Sequence, residues 1–205
     1  HNVVPKDGID DKIREILQMV ELPPDFMYKT PNSIGGGERQ LVSIARALCI
    51  NHKFIILDEP TSSLDVSIQA KILNMLMKLK EEQKLTYMFI THDLSVVKHI
   101  STNIMVMYLG QCVEYASSRE LFKNPAHPYT KALFSAIPPV SPYEKKETIE
   151  LKGEIPSPLN MPPGCPFGNR CPFCTEICKQ SVPELKAIGD NHEVACVRYQ
   201  KGEIS

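Results

Sequence analysis

Apolar positions early in the chain recur with the spacing of helices. Ile9, Ile13, Ile16, Leu17 and Val20 share one face and predict an amphipathic helix over residues 9–21. Pro23 and Pro24 end it, because a proline ring removes the N–H donor the next turn needs. Leu41, Ile44, Ala45 and Leu48 repeat the pattern and predict a second helix over 38–50, opened by the glycine run 35–37. The period then changes. Phe54-Ile-Ile-Leu57 is an unbroken apolar run, too short for a helix, and reads as a strand buried on both faces. Residues 66–83 return to helical spacing, with Ile68, Ile72, Leu73, Leu76 and Leu79 inward. A second buried strand follows over 86–91, then a short helix over 94–100. Residues 103–109 and 111–115 read as a hairpin about Gly110, and 119–122 and 129–137 as short helices. Strands alternating with helices predict an α/β fold.

Prolines then crowd the chain. Eight of them between Pro138 and Pro166 exclude regular helix and read as an extended linker. Composition adds bounds. The 205 residues are 42% hydrophobic and 23% charged, enough for one core plus an appendage. A net charge of −1 offers no broad basic field to nucleic acid. No apolar stretch approaches the roughly 20 residues that span a bilayer. The opening residues His1–Asp7 are polar and broken by proline, without a signal peptide, and a start without Met makes a fragment the expectation. Of seven cysteines, Cys49 and Cys112 stand alone in apolar settings and read as small core residues. The other five lie between Cys165 and Cys196.

The chemistry gathers at strand ends. Asp58 and Glu59 sit where the first strand leaves the sheet, the edge at which open α/β folds collect ligands. Two acids on a buried strand are costly unless a metal or reacting group uses them. Gly35-Gly-Gly37 lets backbone approach closely, and the first amides of the following helix suit an anion. His92 follows the second strand in parallel with Asp58, and Asp65 is placed to cap the helix starting at Val66.

Four segments stand in a telling order: Ile34-Gly-Gly-Gly-Glu-Arg-Gln-Leu41, Lys53-Phe-Ile-Ile-Leu-Asp-Glu-Pro60, Thr61-Ser-Ser-Leu-Asp65 and Phe89-Ile-Thr-His-Asp93. They resemble the signature motif, Walker B strand, D-loop and switch histidine in the second half of an ATP-binding-cassette (ABC) ATPase. The resemblance implies a partial P-loop (RecA-like) core with a remnant of the helical subdomain. It implies that Asp58 holds Mg²⁺, Glu59 is the general base, and His92 contacts the γ-phosphate. It implies that Gly35, Gly36, Gly37, Glu38 and Asp65 face ATP held by a partner subunit. The family usually has Ser where this chain has Gly35, which removes a phosphate hydrogen bond worth about 1.5–3 kcal/mol. No G-x-x-x-x-G-K-[ST] occurs, so the resemblance begins mid-cassette. Two expectations follow: the chain alone hydrolyses no ATP, and strand 54–57 lacks sheet neighbours, so it folds poorly alone.

Ala126-His-Pro-Tyr-Thr-Lys-Ala-Leu133, Gly153-Glu-Ile-Pro-Ser-Pro-Leu159 and Pro162-Pro-Gly-Cys165 resemble the C-terminal extension of oligopeptide, dipeptide and nickel transporter ATPases. Asp65-Val-Ser-Ile-Gln-Ala70 and Leu94-Ser-Val-Val-Lys-His-Ile100 look most like their second, F-type, subunit. The expected division is helical subdomain and signature over 1–50, second half of the core over 51–125, and a small irregular Cys-rich extension over 126–205. Soft thiolate sets select zinc or an iron–sulfur cluster, and disulfides are disfavoured in the cytosol. The spacing is not the paired C-x2-C of zinc ribbons. The resemblance implies a [4Fe–4S] cluster on Cys165, Cys171, Cys178 and Cys196; zinc and free thiols stay open, and Cys174 falls where the family usually has another residue.

By resemblance, then, the chain is an ATP-hydrolysing subunit powering import of peptides or nickel from the cytoplasmic face of the membrane, as a peripheral protein. Its implied partners are a second ABC ATPase subunit, two transmembrane permease subunits and, indirectly, a substrate-binding protein. The alternative is a catalytically inactive fragment serving as an Fe–S-bearing regulatory or interaction module. A cassette ATPase of nucleic-acid repair or translation lacks the basic tract it would need.

Overall fold

The computed structural model describes residues 4–50, 52–138 and 148–204. They fall into two compact units, His1–Val96 and Val97–Ser205.

The first unit opens with α1 (Ile9–Met19), which buries Ile16 and Leu17. The segment 24–28 folds back on it, burying Phe26. Helix α2 (Gly36–Leu48) buries Leu41, Ile44, Ala45 and Leu48, the face the spacing predicts. Strands β1 (Phe54–Asp58) and β2 (Thr86–Ile90) run parallel, in register from Phe54↔Thr86 to Asp58↔Ile90. Parallel neighbours need a crossover, supplied by α3 (Val66–Glu82), which buries Ile72, Met75, Leu76 and Leu79. The Tyr87 hydroxyl donates to Leu76 O at 3.1 Å and ties β2 beneath α3.

The strand is not buried on both faces as expected. Ile55 and Leu57 are covered, but Phe54 is 52% and Ile56 59% exposed, and Met88 and Ile90 of β2 are exposed beside them. The reason is the layer count: α3 covers one face of a two-stranded sheet, and no described residue of this unit buries the other. Cys49 likewise departs from expectation, lying exposed at the end of α2, while Cys112 is half-buried.

Helix α4 (Leu94–Ile100) carries the chain into the second unit, where β3 (Asn103–Tyr108) and β4 (Gln111–Ser117) form the predicted hairpin. Leu109 and Gly110 both have positive φ, 46° and 75°, as a two-residue turn matched to strand twist requires. Then come α5 (Ser118–Lys123) and α6 (Pro128–Ser135). The extension is less irregular than expected. After the linker, β5 (Lys186–Gly189) and β6 (His192–Val194) return to the hairpin, giving the sheet order β3-β4-β6-β5, and α7 (Val197–Gln200) follows. The linker prediction over 138–166 holds for its described part, 138 and 148–166, which has no helix or strand; residues 139–147 lie outside the described residues.

Two buried features lock this unit. Phe167, fully buried, meets Tyr108, Tyr129 and His127 at centroid distances of 5.3, 5.4 and 5.7 Å. Glu114 of β4 is also fully buried. Its Oε1 accepts the Ala126 N–H at 2.7 Å and lies 2.8 Å from His192 Nε2, while Oε2 accepts the His127 N–H at 2.9 Å. One carboxyl thus joins the hairpin, the start of α6 and the returning strand.

His127 caps α6, its Nδ1 accepting the Tyr129 N–H at 3.1 Å. Burial pushes its pKa down to about 4, from 6.5. Its neutral form is therefore favoured in the folded state. Between pH 6.5 and 4 the unfolded chain binds a proton the folded chain refuses, so stability is full above that window and lost as pH falls through it. The expected loss by pH 4 is about 3 kcal/mol from this group. Urea midpoints at pH 7 and pH 4 check it: His127→Asn is expected to show a correspondingly smaller drop than the native chain.

Candidate functional site

Glu59 turns sharply out of β1. Its φ is 45°, a left-handed value uncommon for a side-chain-bearing residue, and its N–H donates to Ile90 O at 2.9 Å. Strain of this kind persists where surrounding structure enforces it, here the bond across to β2. The turn brings Glu59 Oε1 within 3.1 Å of His92 Nδ1, both side chains exposed to solvent. The His92 contact, then Ser62, holds the Glu59 carboxyl below the usual range. Asp58 ends β1 beside them, also exposed.

The glycine loop lies in the same unit. Gly35 and Gly36 are exposed, whereas Gly37 is buried. A Cβ on Gly37 would stand 2.7 Å from Ile68 Cγ2, so this glycine serves the close approach of α2 to α3. Glu38 reaches back to its own loop, Oε2 accepting the Gly35 N–H at 2.8 Å, half of a capping box. Asp65 caps α3: its Oδ1 accepts the Ser67 hydroxyl at 2.6 Å and the Ile68 N–H at 3.0 Å. Those two bonds hold its carboxyl below the usual range.

A brace behind these residues escaped the sequence reading. Gln69 Nε2 donates to Thr61 Oγ1 at 3.2 Å and to Asp93 Oδ2 at 3.3 Å, linking the loops that follow β1 and β2. Asp93 also accepts the Ser95 N–H at 2.9 Å. Burial raises the Asp93 carboxyl, but these donors outweigh it and leave it lowered. Thr61, Gln69 and Asp93 all stand inside quoted segments, but nothing in the spacing marks their contact.

The Glu59–His92 pair can orient a water against a phosphate: a carboxylate acceptor with an adjoining imidazole. The sequence comparisons point the same way. An ABC transporter family profile matches residues 4–62, and the profile for the oligopeptide/dipeptide transporter C-terminal region matches 113–178. The chain is 49% identical over 201 residues to the oligopeptide transport ATP-binding protein AppF of Bacillus subtilis, covering 97% of this chain and 61% of that protein.

This chain is similar to ATP-binding proteins of ABC transporters.

The chain is also 46% identical to the dipeptide transport ATP-binding protein DppF of Haemophilus influenzae, covering 91% of this chain and 57% of that one. It therefore spans about three-fifths of the length of these curated relatives. Among solved structures it resembles the ATP-binding cassette MJ0796, a dimer in a post-hydrolysis state bound to ADP and Pi. The TM-score is 0.51 at 33% identity, covering 57% of this chain and 50% of that chain. No described helix is long and apolar enough to cross a membrane.

In its second unit, Cys165, Cys171, Cys174, Cys178 and Cys196 line one pocket, and all are free thiols. Burial pushes Cys165 and Cys171 up to about 11, with neighbouring thiols adding to the rise. Among the described residues, no three His, Cys, Asp or Glu side chains form a group that could hold a single metal ion. Gly164 shapes the loop: its φ is 80°, and a Cβ there would stand 2.3 Å from Cys178 O. Gly164→Ala is expected to cost at least about 1–3 kcal/mol from backbone strain, read as a lowered urea midpoint.

Proposed function

We propose that the chain is part of an ATP-binding subunit that hydrolyses ATP to power peptide import. The Glu59–His92 contact, held by a strained backbone at the end of β1, carries this reading. The carboxylate, kept ionised by the imidazole, accepts a proton from the attacking water, and His92 stands beside the γ-phosphate. Asp58 would hold Mg²⁺, which neutralises charge developing on the phosphates when bound. Gly35, Gly36 and Asp65, all exposed, face ATP held by a second ABC ATPase subunit. Two transmembrane permease subunits receive the resulting motion at the cytoplasmic face of the membrane. The peptide cargo follows the relatives, which are named for oligopeptide and dipeptide transport and give the nickel branch no support. The division at 1–50, 51–125 and 126–205 is proposed by function, whereas the compact units divide between Val96 and Val97.

The cysteines support a [4Fe–4S] cluster held by Cys165, Cys171, Cys178 and Cys196. The observation behind it is that five soft, reduced donors line one pocket. When bound, such a group ties together a segment with little core of its own.

The test mixes this chain with an intact partner ATPase whose own signature motif has been disabled. Neither protein alone is expected to turn over ATP. The mixture is expected to do so through one composite site, using the partner's P-loop and this chain's glycines. Silence from the mixture would count against the transporter role and for the inactive module.

A further inference from the structure

Glu59 and His92 meet in solvent, their side chains 47% and 71% exposed. Exposed pairs of this kind contribute little by themselves, so the scaffold must hold the imidazole in place. Strands β1 and β2 bring their loops level, but the register ends at Asp58↔Ile90, and His92 lies two residues beyond it. The side chain that reaches across is Gln69, one turn into α3, its own N–H donating to Asp65 O at 2.9 Å. The Nε2 group carries two hydrogens and has two acceptors, Thr61 Oγ1 at 3.2 Å and Asp93 Oδ2 at 3.3 Å. Thr61, only 2% exposed, is the fixed foot of this bridge. Asp93 adjoins His92 and is tied into its own loop: its N–H donates to Thr91 Oγ1 at 3.0 Å, and its Oδ1 accepts the Ser95 N–H at 2.9 Å. The stretch 91–95 is thus one hydrogen-bonded piece, and Gln69 decides where that piece sits.

We infer that Gln69 is a positioning residue for ATP hydrolysis, its amide holding the loop of Asp93 so that His92 stays against Glu59. The inference rests on the role proposed above for the Glu59–His92 pair. Gln69 touches no reacting atom. It acts through Asp93 on its neighbour, and a small displacement of a group placed against a phosphate is enough to slow the chemistry.

The experiment joins the front segment of a curated relative ahead of residue 4, which supplies the phosphate-cradling loop, and measures ATP turnover. Gln69→Leu keeps the bulk and removes the donor; kcat is expected to fall about tenfold to hundredfold. KM for ATP is expected to stay within about twofold, because nucleotide binding does not use the bridge. Gln69→Lys restores a donor that reaches both acceptors, and kcat is expected to return to within about threefold of native. A packing role for Gln69 predicts the reverse order, with leucine tolerated and lysine not. In a His92→Ala background there is no imidazole to place, so adding Gln69→Leu is expected to lower kcat by less than about twofold. Hydrogen exchange on the 205-residue chain reads the loops directly: in Gln69→Leu, residues 91–95 are expected to exchange faster while β3 and β4 do not change. The inference is overturned if Gln69→Leu matches native kcat, if Gln69→Lys does no better than Gln69→Leu, or if the loss persists in full without His92. Equal exchange over 91–95 overturns it too. Native kcat in His92→Ala alone is a different result: it removes the proposed role of the pair, and Gln69 then has nothing to position.

Discussion

Glu114→Ala is expected to cost the C-terminal unit about 3–5 kcal/mol, the scale for removing one partner from a buried hydrogen-bonded pair. The carboxyl is fully buried and serves three donors: the N–H groups of Ala126 and His127 and the ring of His192. Alanine leaves all three facing a void, and each unsatisfied donor costs about 1–3 kcal/mol. Against a total stability of about 5–15 kcal/mol, this is enough to loosen the whole four-stranded sheet. Urea unfolding monitored by tyrosine fluorescence checks it. Glu114→Gln is expected to cost less, because its carbonyl still accepts while its amide meets a donor. A Glu114→Ala midpoint equal to the native one would show that the three segments are held by something else.

Glu59→Gln is expected to lower turnover about 10²–10⁴-fold, the usual contribution of a positioned general base. The chain lacks the phosphate-cradling loop, so the measurement needs a whole cassette: the front segment of a curated relative joined ahead of residue 4. Glutamine keeps the shape and the contact to His92 but cannot take a proton. ATP binding is expected to survive while kcat falls. The Glu59 carboxyl is held below its usual range by His92, so it stays ionised at neutral pH. Activity that depends on it is retained above the carboxylate range and lost as pH falls into it. Equal kcat in both proteins would remove Glu59 from the chemistry.

Much of this was legible from residue spacing. The inward face of α2, those of α1 and α3 apart from Ile9 and Ile68, which lie exposed, and the Gly110 hairpin follow from local pattern, because neighbours in sequence decide them. The acid pair at the end of β1 was visible for the same reason. Three things were not. Strands β5 and β6 have four and three residues, carry Lys186 and Glu193, and show no long alternation, so nothing local marks them. The burial of Glu114 is decided by residues 126, 127 and 192, far along the chain. The left-handed backbone of Glu59 is imposed by Ile90 on the next strand. Covering layers are equally non-local, which is why β1 was read as covered on both sides.

The pairing of Glu114 with Val194 has a consequence for biosynthesis. Strand β4 is synthesised well before its neighbour β6. Contacts so distant in sequence form late and slowly. The nascent protein must therefore hold a carboxylate and an open hairpin edge in water until residues 192–194 have been made. A stop codon placed before residue 192 strands that edge for good, and such shortened products are the ones a cell's proteases should clear first.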